Sequence, residues 1–476
     1  MAGLRGPNAV AGLRGPNAVA GAAQSPVLSY GIVFLVAALV TYLTTPAVWR
    51  LAVRLGAVVR PGERRIHLRP TPTLGGLAML VAFLAAMGVA ALLPDFDIVF
   101  SSSSEPLGLI MAAVVIMAVG VLDDLREVSA PAKVAGQVLA GSVLGLAGVT
   151  MFFFRIPFAD FLVLSPDLGF LLTVLWVVGM ANAVNLIDGL DGLAAGVVAI
   201  AAGALFIYAT RLSDAGLLEP GNVAPLAVVA TCGVCVGFLP HNFSPAKVFM
   251  GDGGAMLLGL LMAAATISVG GRTADQFSGQ TYFFFAPLFI PFFILGVPIV
   301  DTGFAIVRRA VRRASVSEAD KEHLHHRLMQ MGHGPRRSVL ILWAWTAVLC
   351  GVVLVPTFTN KGNALVPFLV AGLGVLLFTF FHPGVRQPPP VRLFDQEAPW
   401  TGPIEAGRLP AGHADQPLRS GPADQALRSG PADQPLRSGH ADQAPAPVPG
   451  AASEAPRVTS TARPASGHLR PPRPVP

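Results

Sequence analysis

A carboxylate set among glycines is the pattern in this chain that best suits a metal ion bound together with phosphates. Asp252 lies between Gly251 and Gly253 in the segment HNFSPAKVFMGDGG, residues 241–254. Mg²⁺ typically binds through one or two carboxylates plus phosphate oxygens of a substrate, and Lys247 in the same segment can place a positive charge near a phosphate. The alternative interpretation is a glycine-rich turn capped by an aspartate.

A second acidic site is the adjacent pair Asp123 and Asp124, at the end of an apolar segment. Neighbouring side chains on a helix point about 100° apart, so one metal ion does not take both symmetrically. We expect one carboxylate to face a metal ion or a phosphate and the other to face a basic side chain such as Lys133. A charged helix end at the water interface is the alternative.

Amide and acidic side chains recur every three residues in NAVNLIDGLDGLAAG, residues 182–196: Asn182, Asn185, Asp188 and Asp191. Adjacent members of such a series are expected to share a helix face, and Gly189 and Gly192 allow the backbone to turn. Polar side chains amid apolar sequence cost several kcal/mol unless they find partners. A capping turn explains one of them but hardly four, so the segment indicates a functional site.

Histidines mark two basic segments. The first is RRIHLRPTPTLGG, residues 64–76, which contains His67 and is equally explained as a basic membrane anchor. The second is ADKEHLHHRL, residues 319–328, which contains His323, His325, His326 and Arg327. Three histidines could bind zinc, but no cysteine or well-spaced carboxylate completes a tetrahedral site. Imidazoles beside an arginine suit a pyrophosphate better, whereas the preceding RRAVRR, residues 308–313, is typical of a segment that binds anionic lipid.

The composition indicates the kind of fold that must hold these residues in place. Of 476 residues, 53% are hydrophobic and 13% charged, and the mean hydropathy is +0.62, whereas soluble domains carry about 25% charged residues. This excludes a soluble enzyme, a disordered polymer and a nucleic-acid-binding protein for the chain as a whole. Three cysteines exclude a disulfide scaffold. The sequence therefore predicts an all-α protein that spans a membrane many times.

The chain divides into three parts. We expect residues 1–26, which repeat AGLRGPNAV, to form a flexible leader and residues 27–382 to form a transmembrane catalytic domain. Residues 383–476 are a Pro-, Ala- and Gly-rich tail with nine-residue repeats, which we expect to be disordered. The middle part contains eleven apolar segments near the ~20 residues that a spanning helix needs. They lie at 28–49, 74–93, 107–122, 134–150, 168–186, 193–208, 223–240, 254–270, 282–306, 338–355 and 364–382.

Loop charge predicts the orientation. Alternate loops, beginning with residues 50–73, contain 17 Lys and Arg, and the opposite loops contain 4. The positive-inside rule then places the first set and the long tail in the cytoplasm and the N-terminus outside. The polar clusters also fall on the cytoplasmic side, whereas a transporter places ionisable residues near the bilayer midplane. This favours an enzyme that handles a water-soluble substrate and a lipid together.

Taken in order, these motifs resemble the polyprenyl-phosphate N-acetylhexosamine-1-phosphate transferases of glycosyltransferase family 4. The ADKEHLHHRL form is closer to the WecA and TagO branch than to the related MraY. The resemblance runs from about residue 64 to residue 334, and its motifs are HLRPTPTLGG, GVLDDLREVSAPAKVAGQ, NAVNLIDGLDGLA, PAKVFMGDGG, GVPIVDT and ADKEHLHHRL. Each motif alone is weak, but six of them in the same order are specific.

The resemblance implies a bacterial cytoplasmic-membrane enzyme with ten or eleven helices and a cytoplasmic active site. It implies transfer of a sugar 1-phosphate from a UDP-N-acetylhexosamine to undecaprenyl or decaprenyl phosphate, with release of UMP, dependent on Mg²⁺ or Mn²⁺. Such a step would start a cell-wall or surface polysaccharide, most readily with N-acetylglucosamine. At Gly253, relatives often carry a hydroxyl residue, which puts one secondary contact in doubt.

The resemblance also implies roles for residues. Asp252 and Asp123 would be metal ligands, with Asp124 at the lipid phosphate or metal and Asp123 as the usual candidate base. The substrate-binding residues would be His67, Lys133, Asn185, Asp188, Asp191, Lys247, His323, His325, His326 and Arg327. A phosphate monoester has a second pKa of about 6 and is mostly dianionic at pH 7. We therefore expect charge compensation to matter more than a base.

Three alternatives remain at this stage. The same chemistry could use UDP-MurNAc-pentapeptide, the chain could transport anionic solutes, or its tail could recruit partners as a scaffold. The sequence leaves open the hexosamine, the prenyl length, the downstream polymer, the role of the terminal repeats and the oligomeric state, with a homodimer among the options.

Overall fold

The computed structural model describes eleven α-helices, of which ten lie at ten of the eleven predicted segments. The described residues are 26–59, 70–126, 128–155, 161–270, 328, 331, 333–359 and 362–381. The predicted ninth segment, 282–306, the tail 383–476 and all of the leader except Pro26 lie outside them.

The described part of the chain is helical, as predicted. The helices are α1 Pro26–Leu55, α2 Gly75–Ala90, α3 Asp97–Ser102, α4 Glu105–Arg126, α5 Ala130–Leu146, α6 Pro166–Ile187, α7 Leu193–Asp214, α8 Ala224–Asn242, α9 Gly251–Gly270, α10 Pro335–Thr359 and α11 Val366–Phe381. Two antiparallel two-stranded sheets join β1 Val58–Val59 to β2 Thr71–Pro72, and β3 Phe153–Arg155 to β4 Phe161–Val163. Short 3₁₀ helices span Pro94–Phe96 and Gly362–Leu365.

The helices are apolar enough to make this a membrane protein. Within the described residues, seven helices have the length and hydropathy to cross a bilayer, and an eighth span results if α2 and the segment Pro94–Ser101, bent by 95°, count as one. The predicted number of eleven spans is therefore not confirmed. Leu35, Leu39 and Leu43 of α1 are more than half exposed, and their spacing of four residues forms an outer apolar stripe suited to lipid contact.

At the centre of the bundle is α9. It packs against α2, α4, α6 and α8, and each of its residues from 253 to 270 is buried. A helix enclosed on all sides needs small residues where its neighbours cross it, because large side chains would hold the backbones apart. The enclosure places the N-terminal end of α9 among the ends of the surrounding helices.

Glycines permit the closest crossings of α9. A Cβ added at Gly120 of α4 would overlap the backbone of Gly253, and one added at Gly76 of α2 would overlap the backbone of Gly254. Both contacts lie at the beginning of α9, so they bring the first turn of this helix against the last turns of α4 and the first turn of α2.

Backbone hydrogen bonds join the segment before α9 to the segment before α2. Phe249 N–H donates to Pro72 O at 2.9 Å, Gly75 N–H donates to Phe249 O at 3.0 Å, and Gly76 N–H donates to Met250 O at 2.8 Å. The loops predicted to lie on one side of the membrane therefore meet at one end of the bundle.

The crossing at Gly120 gives a first prediction. Gly120→Ala should destabilise the protein by about 1–3 kcal/mol, because the new methyl group forces α4 away from the backbone of α9. Gly179→Ala is the matched control, since a Cβ at this helical glycine of α6 meets nothing within 4 Å. Thermal unfolding of both variants in detergent, followed by circular dichroism, measures the difference. Equal melting temperatures would contradict the close contact.

Candidate active site

A cleft of about 320 Å³ opens at the end of the bundle where these loops meet. Its polar lining residues come from four separate parts of the chain: Thr73, Asp124, Asn185, Asp188, Asp191, Asn242 and Asp252. Five of them were singled out by the sequence, and the fold brings them together from the ends of α4, α6 and α9.

The adjacent carboxylates of α4 point in different directions, as the helix geometry predicts. Asp123 Oδ2 pairs with Lys133 Nζ at 2.7 Å, and Asp123 Oδ1 accepts from Val128 N–H at 2.9 Å. Asp124 instead lines the cleft. Its Oδ1 accepts from the backbone N–H of Asp252 at 3.1 Å. Both carboxylates thus lie near Asp252, since Asp123 shares Lys133 with it, but only Asp124 is among the residues that line the cleft.

Lys133 lies between two carboxylates. It is in the first turn of α5, which follows α4 after a short connection, and its ammonium group contacts both Asp123 and Asp252. Asn185, near the end of α6, directs its Nδ2 to Asp252 Oδ2 at 3.5 Å. Side chains from α5 and α6 therefore converge on the carboxylate at the beginning of α9.

The expected shared helix face for the residues at 182, 185, 188 and 191 is wrong beyond Asn185. The helix ends at Ile187, because Asp188 adopts ψ 41°, and Asp188 and Asp191 line the cleft from the following turn. Asn182 bonds to Gln137 instead. Each three-residue step turns about 60° around a helix, so a long series of such steps cannot stay on one face.

The turn after α6 is held by a side chain that sequence reasoning missed. Gly192, at φ +79°, provides the left-handed residue that starts α7. Its N–H donates to Asn242 Oδ1 at 3.0 Å, and Asn242 Nδ2 donates to Val248 O at 3.0 Å. The N–H of Ala246 also donates to Asp191 Oδ2 at 3.0 Å. The turn is thereby fastened to the loop that precedes α9.

Thr73 is the second residue that the sequence did not single out. It lies in the PTPTLGG part of a quoted motif, is 4% exposed, and donates to Asp124 Oδ1 at 3.3 Å. Gly251, at φ +71°, faces this pair, and a Cβ there would overlap the Thr73 hydroxyl and the Asp124 carboxylate. A glycine is therefore needed at position 251, because a side chain there would overlap Thr73 and Asp124.

Four aspartates line the cleft. Loss of hydration, reinforced by the neighbouring aspartates, raises the pKa of the Asp188 carboxyl well above its ordinary value. Asp124 Oδ2 is buried and accepts no hydrogen bond from the described residues. An unpartnered buried carboxylate oxygen at a cleft with three further aspartates fits a bound cation, because burying such charge without compensation is costly.

The donor set fits a hard divalent ion. Within the described residues, no group of three or more His, Cys, Asp or Glu side chains is arranged to hold a metal ion alone. Mg²⁺ does not require such a cage, since it binds through one or two carboxylates and completes its shell with water and phosphate oxygens. Asp124 and Asp252 are the residues placed to act in this way.

Of the remaining predicted site residues, only Lys247 belongs to the described part of the chain. The side chain of Lys247 is exposed, and Lys247 is not one of the residues that line the cleft. His67, His323, His325, His326 and Arg327 lie outside the described residues, so their proposed phosphate contacts stay predictions.

Comparison with known proteins gives a consistent result. The glycosyl transferase family 4 model matches residues 106–270. Decaprenyl-phosphate N-acetylglucosaminephosphotransferase of Mycobacterium tuberculosis is 39% identical over 368 residues, which cover 75% of this chain and 90% of that protein. The probable undecaprenyl-phosphate N-acetylglucosaminyl 1-phosphate transferase of Bacillus subtilis is 36% identical, covering 66% and 80%. Phospho-N-acetylmuramoyl-pentapeptide-transferase of Desulforudis audaxviator is 34% identical, covering 68% and 96%.

The unequal positions of the two adjacent carboxylates give a second prediction. Asp124→Asn should weaken Mn²⁺ binding at least about tenfold, because a direct ligand matters no less than the groups that orient ligands. The asparagine keeps an oxygen for the bonds from Asp252 and Thr73, so the local fold is preserved. Electron paramagnetic resonance of the purified protein titrated with MnCl₂ measures the affinity.

Asp123→Asn is the matched control, since it makes the same chemical change one residue away. It should leave Mn²⁺ affinity within about threefold of the wild type, in the range of an indirect electrostatic effect. A larger loss in Asp123→Asn than in Asp124→Asn would reverse the assignment of the metal ligand.

Proposed function

The chain belongs to glycosyl transferase family 4, and on that premise we propose that it transfers N-acetylglucosamine 1-phosphate from UDP-N-acetylglucosamine to polyprenyl phosphate, releasing UMP. The protein is a membrane phosphoglycosyl transferase. The observation that carries the proposal is the convergence of Asp124 and Asp252 on one cleft at the end of an apolar bundle, with Lys133 from a third helix paired to Asp252. A lipid phosphate and a soluble nucleotide can both reach such a place.

The chemistry requires two anions to react. A phosphate oxygen of polyprenyl phosphate attacks the phosphorus that bears the sugar, a new P–O bond forms, and the bond to the bridging oxygen breaks so that UMP leaves with that oxygen. The attacking phosphate is already mostly dianionic at pH 7, since its second pKa is about 6. No proton must be removed from it, and the main barrier is electrostatic repulsion and positioning.

Different residues would compensate the charges of the two substrates. Asp124 and Asp252 would hold Mg²⁺ or Mn²⁺, which when bound supplies the positive charge that offsets the pyrophosphate and the departing UMP. Lys133 adds a second positive charge beside Asp252. Asp123 accepts from Val128 N–H and pairs with Lys133, so we assign it to holding the lysine rather than to removing a proton.

The nucleotide-sugar has its own candidate contacts. Asn185, Asp188 and Asp191 line the cleft on the side of α6 and offer amide and carboxylate groups to hydroxyl groups of the donor. We propose that the segment containing His323, His325, His326 and Arg327, together with His67, contacts the phosphates. Lys247 is exposed in the loop before α9 and would act at the rim of the cleft.

The orientation and the domain limits are part of the proposal. The charge bias of 17 Lys and Arg against 4 supports a cytoplasmic cleft and an external N-terminus. Residues 27–382 would form the catalytic unit, with the leader and the repeat tail as appendages. The product would start a cell-wall or surface polysaccharide, in keeping with the polyprenyl acceptors in the relatives' names.

The third prediction tests the reaction itself. The purified full-length protein in defined lipid should release UMP from UDP-N-acetylglucosamine only when decaprenyl or undecaprenyl phosphate and Mg²⁺ are both present, and excess EDTA should abolish release. UDP-MurNAc-pentapeptide in the same assay separates the two donor classes. Faster turnover of that donor would move the protein to the pentapeptide-transferase reaction, and uptake into liposomes without UMP would favour a transporter.

The fourth prediction concerns the metal carboxylate. Asp252→Asn should lower kcat/KM at least about 100-fold, the scale of removing a group that stabilises developing charge. Asp95→Asn is the control, because Asp95 is an aspartate at the other end of the bundle, where its Oδ2 accepts from the Ser29 hydroxyl. It should stay within about twofold of the wild type, as surface changes away from a site do. Unchanged activity in Asp252→Asn would remove this residue from the site.

A further inference from the structure

One turn deeper in the bundle than the cleft lies a layer of polar contacts that the reaction does not use. Gln137 of α5 is fully buried. Its Oε1 accepts from Asn182 Nδ2 at 2.7 Å, and its Nε2 donates to Asn182 Oδ1 at 3.4 Å. The same Nε2 donates to Met256 Sδ of α9 at 3.1 Å. These three residues, which we call the amide layer, therefore connect α5, α6 and α9.

The amide layer repeats the arrangement of the site. Lys133, Asn185 and Asp252, the site layer, come from the same three helices, and Lys133 and Asn185 each contact Asp252. Gln137 follows Lys133 by four residues, Met256 follows Asp252 by four, and Asn182 precedes Asn185 by three. Each member of one layer is therefore about one helical turn, roughly 5.4 Å, from its counterpart in the other.

We propose that Gln137 and Asn182 are positioning residues. Their paired amides fix the register of α5 on α6, so that Lys133 and Asn185 both reach Asp252. A helix that slides or rotates on its neighbour would break the short Asn182–Gln137 bond first, because an amide pair has strict distance and angle requirements that apolar packing lacks. The catalytic part of the inference rests on the proposed function, whereas the positioning of Lys133 does not.

A purely structural role would give different results. Amides inside a bilayer need partners in any case, and the pair could serve only to satisfy itself. The chain offers a comparison, since Trp176 of α6 donates to Thr266 of α9 at 2.9 Å, deeper in the bundle. Thr266 is 4% exposed. Loss of this bond would affect packing between two of the same helices, but the bond itself lies far from Lys133.

The test compares Gln137→Leu with Thr266→Val in the full-length protein. Reductive methylation of Lys133, followed by peptide mass spectrometry, reports whether its ammonium group is held. Gln137→Leu should speed the labelling about threefold or more, the scale of one interhelical polar contact in a membrane, and Thr266→Val should not change it. Unchanged labelling in Gln137→Leu, or equal acceleration in both variants, would overturn the positioning role.

Activity gives the second readout. Gln137→Leu should lower kcat about tenfold, since small misplacements of a site are expensive, and leave KM for both substrates within about twofold. The exchanged variant Gln137→Asn/Asn182→Gln keeps an amide on each helix and should recover most of the lost kcat. A kcat in Gln137→Leu equal to that of the wild type, or no recovery in the exchange, would contradict the proposal.

The two readouts separate this inference from the proposed function. If the wild type releases no UMP but Gln137→Leu still exposes Lys133 to labelling, the proposed reaction fails and the positioning of the lysine stands. If the wild type is active and both labelling and kcat are unaffected by Gln137→Leu, the reaction stands and the positioning role is rejected.

Discussion

Two helices can approach until their backbones touch only where neither carries a side chain at the crossing, and α4 meets α9 in this way at Gly120 and Gly253. The backbone N–H of Asp252 can then reach the Asp124 carboxylate. Two carboxylates far apart in sequence become neighbours at one cleft. Gly251, in a left-handed conformation, keeps the space in front of them clear. The positions of the charged side chains in the site thus depend on a contact between two uncharged glycines.

The electrostatics follow from this contact. Carboxylates gathered at an apolar bundle end repel one another, and Lys133 compensates two of them while leaving one oxygen of Asp124 without a partner among the described residues. Both proposed substrates are anions as well. A cation held by the carboxylates would resolve both problems at once, because it would neutralise the site and the substrates together.

Some of this arrangement is accessible from sequence. The apolar segments locate ten of the described helices. The 100° step between neighbouring helix residues is enough to predict that Asp123 and Asp124 contact different partners. Thr73 was missed because its place depends on the pairing of two distant segments, 71–76 and 249–250, which no local pattern encodes. Asp188 and Asp191 were expected on the helix face of Asn182 and Asn185 but lie in the turn after α6, since a spacing of three residues drifts around a helix and the position where α6 ends is set by that turn.

The complete burial of α9 has a consequence for how the protein is made. A membrane helix is inserted facing lipid and joins its neighbours afterwards, so α9 must exchange lipid for protein along its whole length. Its glycines and alanines favour that exchange, because small residues make few contacts with lipid but let helix backbones pack closely. The cleft is finished only when the exchange is complete, because Asp252 meets its partners at the moment α9 docks. Acquisition of the active site is therefore coupled to the association of α9 with its neighbours, and not to insertion.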